Sequence, residues 1–161
     1  MKYRFFDENI FNNKYNQYYL LDYHFEFYQE LFFDKLNKLS ANAESIIFEE
    51  CIPNVKIPIN NLSKAYFEKT TFGNRTIDIE LMNEFFLYDS NELWKIYAFQ
   101  IDNICIIGIS DTIQEKFNHL FKGYISTTKQ EIKTKELLID VFWNKSKQKW
   151  ARERLKILYN I

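Results

Sequence analysis

Glycine, proline, cysteine and histidine are all scarce in this chain. Its 161 residues include three glycines, two prolines, two cysteines and two histidines. Three isolated glycines cannot form a glycine-rich phosphate loop or a dinucleotide-binding fingerprint, and no Gly-x-Ser-x-Gly motif occurs. A doubly wound parallel sheet, which usually places glycine at its strand-to-helix turns, is also disfavoured. The scarcity therefore argues against nucleotide-phosphate binding and against an α/β fold.

The few cysteines and histidines do not form a recognisable chemical site. Cys51 and Cys105 each lie within an apolar run, so we interpret them as buried, reduced thiols of a cytoplasmic protein. His24 and His119 have no second histidine or cysteine three or four positions away, as a helical zinc site requires. No nucleophile is paired with either histidine. The sequence predicts no metal, no cofactor and no catalytic residue.

Long hydrophobic stretches are also missing. No window approaches 18 consecutive apolar residues, so no transmembrane helix is predicted. The first residues, MKYRFFDENIF, lack the apolar core and the cleavage site of a signal peptide. We therefore expect a cytoplasmic protein that does not contact a membrane.

Aromatic residues are abundant, at 19% of the chain. Ile, Asn, Lys, Phe and Tyr together fill 80 of the 161 positions, and all five are encoded by AT-rich codons. Coding bias explains much of the aromatic excess, so the excess is weak support for base or sugar stacking.

The hydrophobic periodicity predicts helices flanking an antiparallel sheet. Apolar residues spaced by three and four predict a helix over residues 13–40, and SIIFEECI predicts a strand, with the two prolines that follow favouring turns or an edge. Residues 93–110 predict a hairpin whose second strand is central, with a two-residue turn at Asp102 and Asn103. The chain length suits one domain, residues 1–161, of the α+β class.

Helices are also predicted in the last third of the chain. Asp111 and Gln114 have capping-box spacing before a helix whose buried face includes Phe117, and Thr128 and Glu131 have the same spacing. Helical stretches are predicted over residues 133–143 and 147–159, although LLIDVFW within the first could equally be a strand.

The most unusual segment is IDIELMNEFFLYDSNEL, residues 77–93, which contains five carboxylates and no lysine or arginine. Its first residues alternate between apolar and polar, which predicts a half-buried strand with the acids on the exposed face. If this segment neighbours the strand that carries Glu49 and Glu50, one region of the surface becomes strongly acidic. The negative electrostatic potential of such a surface accelerates association with a basic partner. The predicted contact residues are Asp78, Glu80, Glu84, Asp89 and Glu92. An ordinary solvated acidic face is the alternative.

Two further functions remain open from the sequence. The same carboxylates could hold Mg²⁺ in a small metal-dependent nuclease. Such an enzyme would need a Glu-x-Lys on the next strand, but the spacing from Glu92 to Lys95 is one residue too long, and Glu131 with Lys133 falls in a predicted helix. The segment KSKQKWARERLK, residues 145–156, carries six positive charges and one acid, and could bind nucleic acid. A solvated helix surface is the favoured explanation of this segment.

In its small size, mixed α+β pattern, AT-rich coding style and lack of catalytic motifs, the chain resembles bacterial immunity proteins. These are the cytoplasmic proteins paired with polymorphic or contact-dependent growth-inhibition toxins. The resemblance is one of class and carries over no individual residue. It implies a non-enzymatic inhibitor that binds a cognate toxin domain and occludes its active site with acidic side chains.

Overall fold

A seven-stranded antiparallel sheet, a two-stranded hairpin and two short α-helices make up the described part of the chain. The structure, a computed structural model, describes residues 15, 17–21, 30–50, 56–59, 70–72, 75–77, 84–99, 104–122 and 130–132. In chain order the elements are β1 (Gln17–Leu21), α1 (Glu30–Leu39), β2 (Ile46–Glu50), β3 (Lys56–Ile59), β4 (Thr70–Phe72), β5 (Arg75–Ile77), β6 (Glu84–Asp89), β7 (Trp94–Phe99), β8 (Ile104–Ile109), a 3₁₀ turn (Asp111–Ile113), α2 (Gln114–Leu120) and β9 (Gln130–Ile132).

The large sheet has the strand order β3-β2-β6-β7-β8-β1-β9, and β4 pairs only with β5. Every neighbouring pair in it is antiparallel. The predicted mixed α+β class with an antiparallel sheet is therefore confirmed. The predicted helices at residues 133–143 and 147–159 lie outside the described residues.

Strands β7 and β8 form the predicted hairpin, with Phe99 opposite Ile104. Strand β8 is central as predicted, since it lies between β7 and β1, and residues 105–109 are buried. The predicted two-residue turn at Asp102 and Asn103 lies outside the described residues.

The predicted helix over residues 13–40 is wrong in its first part. Residues 17–21, QYYLL, form β1 between β8 and β9, and four of its five side chains are buried. A short, continuous apolar run fits a helix or a two-sided buried strand equally well, and here the pairing with β8 determines the outcome. Among the described residues of this range, the predicted helix is confirmed at α1.

Helix α1 buries Phe32, Phe33, Leu36 and Leu39 against the sheet. Glu30 in the first turn and Lys38 in the last turn both interact favourably with the helix dipole. The side chain of Ser40, just after the helix, accepts a 2.7 Å hydrogen bond from the indole Nε1 of Trp94. This bond fixes the end of α1 above the start of β7.

The segment after β8 is helical, but it begins differently from the prediction. Ser110 is the N-cap of the 3₁₀ turn and Ile113 is the N-cap of α2, so Asp111 lies within the 3₁₀ turn and not at the N-cap position predicted for it. The Gln114 amide contacts the hydroxyl of Tyr19 at 3.3 Å and the side chain of Asn118 at 3.1 Å. The predicted buried face is confirmed for three residues, namely Ile113, Phe117 and Phe121.

Both helices lie on one face of the sheet and together bury the main core. On that face Tyr19 stacks on Phe117, with ring centroids 5.0 Å apart. Each helix also receives a lysine from the other. Lys35 of α1 donates to the carbonyl of Leu120, and Lys116 of α2 donates to the carbonyl of Leu39 at 3.5 Å. These lysines neutralise the partial negative charge at both helix C-termini.

The edge strands explain two of the sequence features. Pro58 lies in edge strand β3, where its missing N–H leaves the inner pairing intact, as predicted. Glu131 lies in edge strand β9 opposite Tyr19, so the helix predicted to start near it is wrong at this position. Strand pairing with β1 outweighs the capping-box pattern there.

Candidate functional site

One end of the large sheet gathers three connections from distant parts of the sequence. Strand β2 starts at Ile46, opposite Asp89 at the end of β6, and β7 starts at Trp94, opposite Ile109 at the end of β8. The antiparallel order therefore places the loops 40–45, 90–93 and 110–113 at the same end.

Hydrogen bonds join these three loops directly. The Ser90 N–H donates to the carbonyl of Ser45 at 2.8 Å, and the Ser90 hydroxyl oxygen accepts from the N–H of Glu44 at 3.0 Å. The Ser110 N–H donates to the carbonyl of Leu93 at 2.9 Å. The loops thus form one continuous polar surface.

This surface is acidic. Its three loops contribute Glu44, Glu92 and Asp111, one from each, and contain no lysine or arginine. Glu44 and Asp111 are exposed, and Glu92 is half-buried. We call the surface formed by loops 40–45, 90–93 and 110–113 the acidic end.

The turn between β6 and β7 places Glu92 in an unusual backbone conformation. Among the described non-glycine residues, only Glu92 has a positive φ, of 54°. The turn is closed by a 2.8 Å bond from the Glu92 N–H to the Asp89 carbonyl. The Asp89 side chain reinforces it by accepting the Leu93 N–H at 2.8 Å. A left-handed conformation without glycine costs about 1–2 kcal/mol, which these bonds help to offset.

Asp89 itself has a structural role in this turn. Its side chain is only 1% exposed, and burial raises the pKa of its carboxyl above the usual value, against the lowering effect of N–H donors from Leu93, Glu92 and Trp94. The Asp89 carboxylate therefore stabilises the turn itself, because backbone N–H groups donate hydrogen bonds to it from the turn.

Tyr15 lies close to this buried carboxylate. Its ring packs on Gly108 of β8, where an added Cβ would lie 2.9 Å from the ring. Burial first, and then the negative charges of Glu92 and Asp89, raise the pKa of the Tyr15 hydroxyl well above its usual value. A glycine at position 108 is required by this close approach of the ring.

On the face of the sheet opposite the helices, the inner strands are also largely buried, and they carry two tyrosine–carboxylate pairs. The hydroxyl of Tyr97 donates to Glu84 Oε1, and that of Tyr88 donates to Glu49 Oε2, each at 3.0 Å. Glu84 is 6% exposed and Glu49 is 4% exposed. Paired tyrosine donors reduce the cost of burying the carboxylates.

A lysine lies between the two pairs. Lys95 Nζ is 4.5 Å from the ring centroid of Phe86 and 5.1 Å from that of Tyr88. Its register partners are Tyr88 on β6 and Gly108 on β8, so the ammonium extends over the neighbouring aromatic rings. The cation–π contacts place a positive charge on the same face as the buried acids.

Of the five predicted contact residues, the three that the structure describes are separated by the fold. Glu84 is at the far end of β6 and buried, Asp89 is buried under the turn, and Glu92 belongs to the acidic end. Asp78 and Glu80 lie outside the described residues. The exposed position predicted for Glu84 is wrong, because β6 is covered on both faces and all six of its residues are buried.

The two acidic segments were treated as neighbours only as a condition in the sequence analysis, and the structure meets that condition because β2 pairs with β6. Neither Glu44 nor Asp111 was selected from the sequence as a contact residue. Glu44 and Asp111 share one feature, which is that each lies just outside a strand at the same end of the sheet. Recognising that position requires the strand order, which the sequence does not reveal.

The described residues give little support to a metal centre. No group of three or more His, Cys, Asp or Glu side chains within them could hold a metal ion. Glu131 does lie in a strand, as a Glu-x-Lys site would need, but the strand beside it, β1, carries no acid. His119 is exposed on α2, while His24 and the basic segment 145–156 lie outside the described residues.

Comparisons with other proteins do not identify a family. No protein-family model, curated protein or solved structure matches the chain. In the part of the chain that the structure describes, no helix combines the length and the apolar character needed to cross a membrane.

Proposed function

We propose that the protein is a non-catalytic immunity protein that binds a cognate toxin domain through its acidic end and thereby blocks it. The observation that carries this proposal is the convergence of Glu44, Glu92 and Asp111 in three hydrogen-bonded loops without a basic residue. A surface of one sign, held by a rigid sheet, steers an oppositely charged partner. The partner surface would be basic, as on a domain that binds nucleic acid.

The conformation of Glu92 supports the same proposal. Glycine or asparagine would adopt a φ of 54° with less strain, yet the chain places a carboxylate there. Strained backbone conformations are concentrated at functional sites. The acidic end therefore replaces the wider set of contact residues predicted from the sequence, of which Glu84 and Asp89 are buried.

The first experiment is to identify the partner and measure protection. The protein is co-expressed with the product of the neighbouring toxin gene, and growth and co-purification are recorded. We expect growth to be rescued and the two proteins to co-purify. A chain that neither rescues growth nor binds the toxin domain contradicts the proposal.

The second experiment tests the surface by charge reversal. The double variant Glu44→Lys with Asp111→Lys is compared with Glu30→Lys with Asp34→Lys, two exposed acids of α1 whose reversal changes the net charge equally. We expect association with the toxin domain to slow at least about tenfold at low salt for the first variant. The α1 variant should associate nearly as fast as the wild type. Equal association rates for the two variants would mean that the acidic end is not the interface.

A further inference from the structure

Ser90 lies at the point where two of the three loops of the acidic end meet. The last pair of the β2–β6 ladder joins Ile46 to Asp89. One residue further on, the Ser90 N–H donates to the Ser45 carbonyl at 2.8 Å and continues the ladder beyond the strands. The backbone thus brings the two loops into direct contact.

The side chain of Ser90 adds two more bonds between the same loops. Its hydroxyl oxygen accepts a hydrogen bond from the N–H of Glu44 at 3.0 Å and from the N–H of Ser45 at 3.3 Å. Both lone pairs of the oxygen are then used by backbone groups of the neighbouring loop. Because Glu44 is one of the two donors, the position of this exposed acid depends directly on the Ser90 hydroxyl.

The turn that carries Ser90 also carries Glu92, whose backbone is fixed. The Glu92 N–H donates to the Asp89 carbonyl at 2.8 Å, and its φ of 54° sets the direction of the chain. Ser90 therefore connects a loop that carries one acid to a closed turn that carries another. Acids that are held in place before binding lose less conformational entropy when a partner docks on them.

We propose that Ser90 is a positioning residue of the acidic end, whose hydroxyl holds Glu44 in a fixed position relative to Glu92 so that both acids meet the partner together. This inference rests on the proposed function and adds an uncharged residue to a surface defined by charge. Ser90→Ala removes no charge, so long-range steering of the partner should be unaffected. The loss should appear in the dissociation rate, where most effects of interface mutations lie.

The experiment compares three variants in their kinetics with the toxin domain. Ser90→Ala removes the acceptor, whereas Ser90→Thr keeps it and adds a methyl group at an exposed position. Ser110→Ala makes the same chemical change on the same surface, but the Ser110 hydroxyl donates to Thr112 Oγ1 within its own loop, at 3.4 Å.

The expected result is a division between the two rate constants. Ser90→Ala should raise the dissociation rate about threefold to tenfold, while its association rate stays within about twofold of the wild type. Ser90→Thr and Ser110→Ala should dissociate at the wild-type rate. Charge reversal at Glu44 and Asp111, in contrast, slows association.

Hydrogen exchange of the free protein tests the same residue without the toxin. Amide exchange at Glu44 and Ser45 should accelerate at least about threefold in Ser90→Ala and should remain at the wild-type rate in Ser90→Thr and Ser110→Ala. Unchanged exchange in the buried strand β7 serves as the control for an intact fold.

The outcomes separate this inference from the proposed function. Unchanged exchange at Glu44 and Ser45 in Ser90→Ala would refute the positioning role, and so would equal dissociation rates for Ser90→Ala and Ser110→Ala. Slower association of Ser90→Ala without faster dissociation would refute it as well. Faster exchange in a protein whose wild type binds no toxin domain would support the link between the loops and refute the immunity function.

Discussion

At the scale of single residues, the carboxylates of this chain divide by environment rather than by sequence position. Asp89 and Glu92 are three positions apart, yet one is buried and bonded to backbone N–H groups, and the other is half-buried in a strained turn. A count of acids in a segment cannot distinguish these roles. The distinction depends on which residues close the turn and which remain accessible to a partner.

The strain at Glu92 gives a prediction that separates stability from binding. Glu92→Gly should raise the free energy of unfolding by about 0.5–1 kcal/mol, because relief of about 1–2 kcal/mol of strain exceeds the added entropy cost of glycine. The same change removes a carboxylate from the acidic end, so association with the toxin domain should slow. Urea unfolding and binding kinetics measure the two effects.

Asn91→Gly is the matched control for this substitution. Asn91 is in the same turn, but its φ is not positive. There glycine only adds backbone freedom to the unfolded chain, so stability should fall. If both variants change stability in the same direction, the conformation of Glu92 is not a source of strain.

At the scale of elements, the sequence predicted best where neighbours in the chain are also neighbours in the fold. The β7–β8 hairpin, the strand at residues 46–50 and the buried face of α1 were all predictable from local periodicity. The strand at residues 17–21 was not, because its pairing partner β8 is far away in the sequence. The pattern of a continuous apolar run does not contain that information.

The contact between the two helices gives a prediction at the same scale. Lys35→Met keeps the length and apolar stem of the side chain but removes the ammonium group. The hydrogen bond to the Leu120 carbonyl is then lost, and so is the cation–π contact with Phe121, whose ring centroid is 5.8 Å from Lys35 Nζ. We expect a loss of about 0.5–1.5 kcal/mol in the free energy of unfolding.

Lys38→Met serves as the control, because Lys38 is exposed on the same helix. Its substitution should change stability by less than about 0.5 kcal/mol. The two variants are compared by urea unfolding in the same buffer. Equal losses would indicate that the interhelical lysine contact contributes no more than an ordinary surface charge.

At the scale of the whole molecule, burial of both faces of the inner strands determines which of the described acids can reach a partner. The alternation of apolar and polar residues predicts that one face of the sheet is exposed to solvent, but β6 is buried along its full length. On the face opposite the helices, tyrosine side chains pack against Glu49 and Glu84. Polar side chains satisfied in pairs can occupy an interior that a pattern of hydrophobicity assigns to solvent. Among the described residues, exposed acids therefore remain at a sheet end formed by loops from three separate parts of the chain.

The same burial predicts how the stability of the whole fold depends on alkaline pH. Burial raises the pKa of both Tyr15 and Tyr18 above the usual value of 10.0. The unfolded chain therefore loses these two protons at lower pH than the folded chain does. Their contribution to stability is complete below pH 10 and is lost as the pH rises from there toward the folded-state pKa values.

Within that window the two tyrosines together should reduce the free energy of unfolding by up to about 2.7 kcal/mol per pH unit. Tyr15→Phe should remove the contribution of Tyr15, up to about 1.4 kcal/mol per pH unit, because phenylalanine cannot ionise and keeps the ring on Gly108. Urea unfolding followed by circular dichroism between pH 8 and pH 11.5 measures the slope for the wild type and for Tyr15→Phe. Lysines that titrate alike in the two proteins contribute equally to both slopes, so their contribution cancels when one slope is subtracted from the other. Parallel curves for the wild type and Tyr15→Phe would contradict the assignment of this pH dependence to the buried hydroxyl near Glu92 and Asp89.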